Sequence, residues 1–82
     1  MKISLLYFAK LGDELGSTRE NLEIQDGSTL TELIDSLVSR GENWQVLRHL
    51  STNCAVNQDI TKDNPVLHDG DEVAFFPPVT GG

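Results

Sequence analysis

Eighty-two residues leave room for one domain, and a chain of that size buries only about 60–65% of its unfolded surface, so any core must be compact. Thirteen acidic against six basic residues give a net charge of −7, which repels phosphate backbones and argues against nucleic acid as a partner. Hydrophobic residues make up 38%, and with the 7 glycines added the chain falls in the globular rather than the disordered range.

The single cysteine, Cys54, has no intramolecular disulfide partner, whereas a secreted domain this small would ordinarily carry several bridges. No charged, apolar leader opens the sequence, and no apolar run is long enough to span a bilayer. The expectation is a cytoplasmic protein with no membrane association.

In chain order, Lys2 to Ala9 reads as a strand. Its odd positions Ile3, Leu5 and Tyr7 are all apolar, while the even positions change from Lys2 and Ser4 to Leu6 and Phe8. Such a strand is half-buried at its start and apolar on both faces at its end. Gly12 and Gly16 bracket what reads as a turn-rich connection, and a weaker strand follows over Thr18 to Ile24. Asp26-Gly27 then turns the chain into a helix predicted over Leu30 to Arg40. There Leu30, Leu33, Ile34, Leu37 and Val38 follow the i, i+3, i+4, i+7, i+8 spacing of one buried stripe. Thr29 and Glu32 have the form of a capping box, and Gly41 is placed for a left-handed C-terminal cap.

A short second helix over Asn43 to Leu50 would carry Trp44, Leu47 and Leu50. Cys54 to Asn57 reads as a strand, Asp69-Gly70-Asp71 as a turn, and Glu72 to Phe76 as the last strand. Pro77-Pro78 ends that strand, because neither proline donates a ladder hydrogen bond. The elements predict an α+β domain over residues 1–76, with one main helix packed across a mixed sheet, and a flexible tail over residues 77–82. If the first and last strands are central and parallel, Phe8 and Phe76 share one end of the sheet.

The sharpest chemical feature is Gly81-Gly82. A frayed end explains two terminal glycines, but so does an acyl donor. A carboxylate presented to an active site on a thin strand must leave its carbonyl carbon open to attack, and glycine has no Cβ to obstruct it. Four residues beyond Pro78 reach roughly 13–14 Å, far enough to enter a partner's site. A carboxylate is unreactive until activated, which implies an ATP-dependent adenylating partner. Elsewhere, Cys54 shares parity with Val56 and is expected to be a buried structural thiol. His49 and His68 stand alone without ligand spacing, so no metal site is expected. Asp69, Asp71 and Glu72 form either a solvated turn or a docking patch. No phosphate-binding glycine loop or nucleophile–base pair is present, so the chain holds no complete active site.

The segment Ala55-Val56-Asn57-Gln58, followed by Asp69-Gly70-Asp71-Glu72-Val73-Ala74-Phe75-Phe76-Pro77-Pro78-Val79-Thr80-Gly81-Gly82, resembles the small-subunit family of molybdopterin synthase, as does the opening Leu6-Tyr7-Phe8-Ala9. The likeness spans the chain, although Lys10 to Asn53 match in pattern more than in identity. The resemblance implies a ubiquitin-like β-grasp fold and a sulfur carrier. In that family the terminal glycine, here Gly82, is adenylated by an E1-like activating enzyme that uses ATP and is then converted to a thiocarboxylate. It donates sulfur to cyclic pyranopterin monophosphate, building the molybdopterin dithiolene. Gly81 gives access to the acyl carbon.

The resemblance also implies that the chain is one subunit of a two-subunit sulfurtransferase, a heterotetramer with the large subunit, and binds no cofactor itself. The family's docking patch maps onto Phe8, Ile60 and Phe76, and Pro77, Pro78, Val79 and Thr80 lead the tail into the large subunit. Parity agrees for Phe8 and Phe76, which sit opposite the faces carrying Tyr7 and Phe75; the competing reading places them beneath the Lys10–Gly16 loop. Two other functions share the same tail: a ubiquitin-like protein modifier, and a sulfur carrier for thiazole (thiamine) synthesis.

Overall fold

The computed structural model describes residues 1–49 and 52–77. Leu50 and the expected tail residues Pro78, Val79, Thr80, Gly81 and Gly82 lie outside the described residues. Five strands form one mixed sheet: β1 (Lys2–Tyr7), β2 (Arg19–Glu23), β3 (Asn53–Val56), β4 (Asp59–Ile60) and β5 (Glu72–Phe76), in the order β2-β1-β5-β3-β4. β1 and β5 run parallel at the centre with Tyr7 opposite Phe75, and the other pairings are antiparallel. The expected central pair is therefore present.

The main helix, α2 (Leu30–Val38), buries Leu30, Leu33, Leu37 and Val38 against the sheet, the stripe that the periodicity predicts. Its capping box is complete: Thr29 Oγ1 accepts from the Glu32 amide at 3.3 Å, and Glu32 Oε1 accepts from the Thr29 amide at 3.0 Å. The helix ends at a right-handed Ser39, two residues before the expected stop. Gly41 adopts φ 159° and ψ 176°, which is extended backbone and not the left-handed cap expected. Tyr7, Phe75, Ile3, Leu5, Leu33, Leu37, Leu67 and Val73 form the fully buried centre, each large side chain contributing about 1.5–3 kcal/mol by leaving water.

Three elements differ from the sequence expectation. Residues Lys10–Leu15 form a short helix, α1, not a turn-rich connection, and Leu11 and Leu15 sit buried at i, i+4 spacing. Gly12 interrupts its helical propensity for a packing reason. A Cβ there would lie 3.0 Å from Thr18 Cγ2 and 3.1 Å from the Tyr7 carbonyl oxygen. Gly16, with φ 74°, supplies the left-handed cap. Glu42–Arg48 is a 3₁₀ helix whose buried Trp44 and Leu47 sit at its three-residue repeat. The two-residue strand β4 is too short to leave a periodic trace. It returns from β3 through Asn57 and Gln58, both at positive φ (51° and 73°), the backbone twist that tight hairpins use.

Candidate functional site

The sheet has two faces of opposite character. The inner face carries Ile3, Leu5, Tyr7, Val73 and Phe75 toward the helices. On the outer face, the register sets Leu6, Ala74, Ala55 and Ile60 in one row across β1, β5, β3 and β4. One residue pair further along, Phe76 lies opposite Asn53. Phe8 extends the same end of β1, its amide bonded to the Phe75 carbonyl at 3.0 Å. Phe8 and Phe76 therefore share a sheet end, as expected.

This face is apolar and open. Phe8 is 49% exposed and Ile60 68%, while Leu6 and Phe76 are half-buried. Between them, Ala74 and Ala55 are 7% and 5% exposed, small side chains shaded by larger neighbours. The row thus sets two small, buried alanines between larger, more exposed apolar groups. The competing reading, with Phe8 beneath the Lys10–Gly16 segment, fails. α1 turns Leu11 and Leu15 into the core and leaves Phe8 outside.

Phe8 is held in place by a tight turn. The Leu11 amide donates to the Phe8 carbonyl at 3.1 Å, and Ala9 takes φ 54° and ψ −133°, the conformation of a type II′ turn in which glycine is preferred. Pro77 is half-buried where the chain leaves β5. The remaining tail positions, Pro78 to Gly82, are outside the described residues.

The other side chains singled out from sequence have structural duties. Asp69 Oδ1 accepts from the Lys2 amide at 2.7 Å, and Asp71 binds Asn57 Nδ2 at 2.9 Å and the His68 amide at 2.8 Å. Glu72 donates its amide to Asn57 Oδ1 at 3.0 Å. Asp69 thus ties the turn before β5 to the start of β1, and Asp71 and Glu72 tie it to the β3–β4 hairpin. Cys54 is half-buried on the inner face beside the core, where burial pushes its thiol up to about 11 and keeps it protonated. No group of three or more histidine, cysteine or acidic side chains able to hold a metal occurs among the described residues. None of the described helices is long and apolar enough to cross a membrane.

Sequence reasoning missed a cluster at the inner edge of the sheet. Arg40 binds both oxygens of Glu20, at 3.0 and 2.7 Å, and lies 4.7 Å from the Trp44 ring centroid. Trp44 meets Tyr7 edge-on at 5.6 Å, and Tyr7 stacks on Phe75 at 6.0 Å. Arg40 lowers the Glu20 carboxyl below its usual range. Tyr7 Oη has no partner within hydrogen-bonding geometry, and burial followed by the charge of Glu20 raises its phenol well above normal. The cluster ties β2 to the end of α2 and holds no open site.

The ThiS family matches residues 5–82. The molybdopterin synthase sulfur carrier subunit of Mycobacterium tuberculosis is 39% identical, the alignment covering 100% of this chain and 99% of that protein. The subunit of the same name from Escherichia coli is 36% identical over 98% of this chain and 99% of that one. Among solved structures, a Pyrococcus furiosus protein provisionally named molybdopterin converting factor subunit 1 superposes with a TM-score of 0.84 at 29% identity, covering 96% and 99% of the two chains. A Helicobacter pylori chain, from a complex of subunits 1 and 2 of molybdopterin-converting factor, gives 0.70 at 25% identity, with both chains fully covered. Small archaeal modifier protein 1 of Haloferax volcanii gives 0.80 at 23% identity over 95% and 98% of the two chains, and shows the shared fold alone. The fold is the ubiquitin-like β-grasp.

Proposed function

Because the chain belongs to the ThiS family, we propose that it is the sulfur-carrier small subunit of a molybdopterin synthase. Full-length similarity to proteins of that name carries this reading. The open outer face supports it from the structure: a subunit that must dock on a larger partner needs an apolar surface its own fold does not cover. In this reading Phe8, Ile60 and Phe76 anchor the large subunit, and Pro77, Pro78, Val79 and Thr80 carry the tail into its site.

The chemistry belongs to Gly82. An E1-like activating enzyme transfers adenylate from ATP to the Gly82 carboxylate, releasing pyrophosphate. A sulfur nucleophile then displaces AMP to leave a thiocarboxylate. That sulfur passes to cyclic pyranopterin monophosphate in the large subunit, and water restores the carboxylate. Two such cycles supply the two sulfurs of the dithiolene. Gly81 keeps the approach to the acyl carbon clear. The chain binds no cofactor of its own, and ATP is bound by the activating enzyme.

Intact mass spectrometry of the native protein tests the reading directly, because replacing one terminal oxygen by sulfur adds about 16 Da. Appending one alanine after Gly82 abolishes sulfur transfer to cyclic pyranopterin monophosphate while leaving the melting temperature unchanged. Full activity of the extended chain, or recovery of Gly82 joined to lysines of other proteins in place of the thiocarboxylate, would overturn it.

A further inference from the structure

Among the described residues β2 is an outer strand of the sheet, with β1 on one side and no strand on the other. Its hydrogen-bond phase follows from two places. Met1 and Ile24 exchange both backbone bonds at 2.9 Å, and the Tyr7 amide donates to the Thr18 carbonyl at 3.0 Å. Alternation along an antiparallel ladder then commits Glu20 and Leu22 to β1 and turns the amides of Arg19, Asn21 and Glu23 away from it. The Arg19 carbonyl is taken by the Ser17 hydroxyl at 3.0 Å, so the open stretch is Asn21 to Glu23.

A cleft of about 270 Å³ lies beside this edge, between β2 and α2. Ile24 and Leu33 give it apolar surface and Glu32 stands on its α2 side, while the register sets Glu23 opposite Lys2 on the outer face at the rim of the edge; none of the lining residues is basic. Glu23 makes no ion pair, and Glu32 engages only Oε1 in the capping box. The unpaired backbone and the apolar and acidic lining thus lie side by side.

We propose that this edge and cleft bind an extended, basic segment of another protein. The segment adds as a strand beside β2, sets one aliphatic side chain against Ile24 and Leu33, and places lysine or arginine against Glu23 and Glu32. Charge selects this occupant: a second copy of the chain would bring a further −7 to an edge already lined with carboxylates. The site lies at the opposite edge of the sheet from β4 and Ile60. It does not depend on the sulfur-carrier reading.

The probe is an acetylated, amidated peptide, Lys-Lys-Val-Ile-Val-Lys-Lys, titrated into the isotope-labelled full chain and followed by backbone amide shifts. Shifts are expected at Asn21, Glu23, Ile24 and Leu33, and none with the peptide in which glutamate replaces lysine. Asn21→Pro removes an outward amide while sparing the ladder to β1, and weakens binding by at least about tenfold. Glu23→Lys, at an exposed strand position, weakens it roughly fivefold and serves as the second probe if the proline variant unfolds. Absence of shifts at about 1 mM peptide, shifts confined to Phe8 and Ile60, or unchanged affinity in a folded variant would overturn the proposal. Concentration-dependent shifts of the same amides without peptide would assign the edge to a second copy and overturn it equally.

Discussion

Tyr7 carries the one buried side-chain polar atom without a hydrogen-bond partner among the described residues. An unsatisfied buried hydroxyl costs free energy that its ring burial must offset. Tyr7→Phe keeps the stacking on Phe75 and the edge contact with Trp44 and removes that cost. Urea denaturation is expected to show stability raised by up to about 1 kcal/mol. A loss of that size would mean that the hydroxyl is bonded to Glu20 in solution. Gln58 is a second residue held against its preference, at φ 73° in the β3–β4 turn. Gln58→Gly relieves a left-handed conformation worth roughly 1 kcal/mol, and thermal melts should record the gain. Neither residue announces itself in sequence. Tyr7 reads as an ordinary core aromatic, and Asn57-Gln58 lacks the glycine that normally marks a tight hairpin.

At the level of elements, the Arg40–Glu20 pair fastens the end of α2 to the edge strand β2. Arg40 hydrogen bonds are the largest cause lowering the Glu20 carboxyl, so the sign follows: its stabilisation is present above the unfolded glutamate range and lost as pH falls through the lowered folded value. Glu20→Gln should therefore cost up to about 1 kcal/mol at neutral pH, after allowance for solvent screening, and little at acid pH. Comparing denaturant midpoints of the two proteins across the acid range checks this. A constant difference at all pH values would deny the pair its charge. The same scale explains which elements could be read in advance. α2 declares itself through a five-residue apolar stripe and a capping box. α1 does not, because Gly12 is demanded by the close approach of Thr18 and the Tyr7 carbonyl and reads locally as a break. β4 has only two residues and depends on its pairing with β3 for existence.

For the whole molecule, the fold's main functional consequence is the separation of the sheet into a covered and an uncovered face. The parity of Phe8 and Phe76 is visible in the sequence, since each follows a buried aromatic in a strand. Ile60 is not, because nothing local shows that the chain turns back beside β3 and sets Ile60 opposite Ala55. The tail's meaning comes from the resemblance and from the chemistry of glycine, not from the fold. If the outer face is the docking surface, stability and affinity must separate on mutation. Phe8 is about half exposed in the free chain, so Phe8→Ala removes limited burial and should change the melting temperature little. In the complex the same ring would be desolvated at the centre of an interface, where truncating an aromatic anchor costs roughly 2–4 kcal/mol. Titration of the variant against the large subunit should thus show affinity reduced at least about thirtyfold, with Ile60→Ala following in the same direction. Leu33→Ala supplies the opposite pattern: it opens the core beneath α2, lowers the melting temperature strongly, and leaves the outer face intact wherever the protein remains folded. Unchanged affinity in Phe8→Ala and Ile60→Ala, each with a normal melt, would remove the outer face as the docking surface.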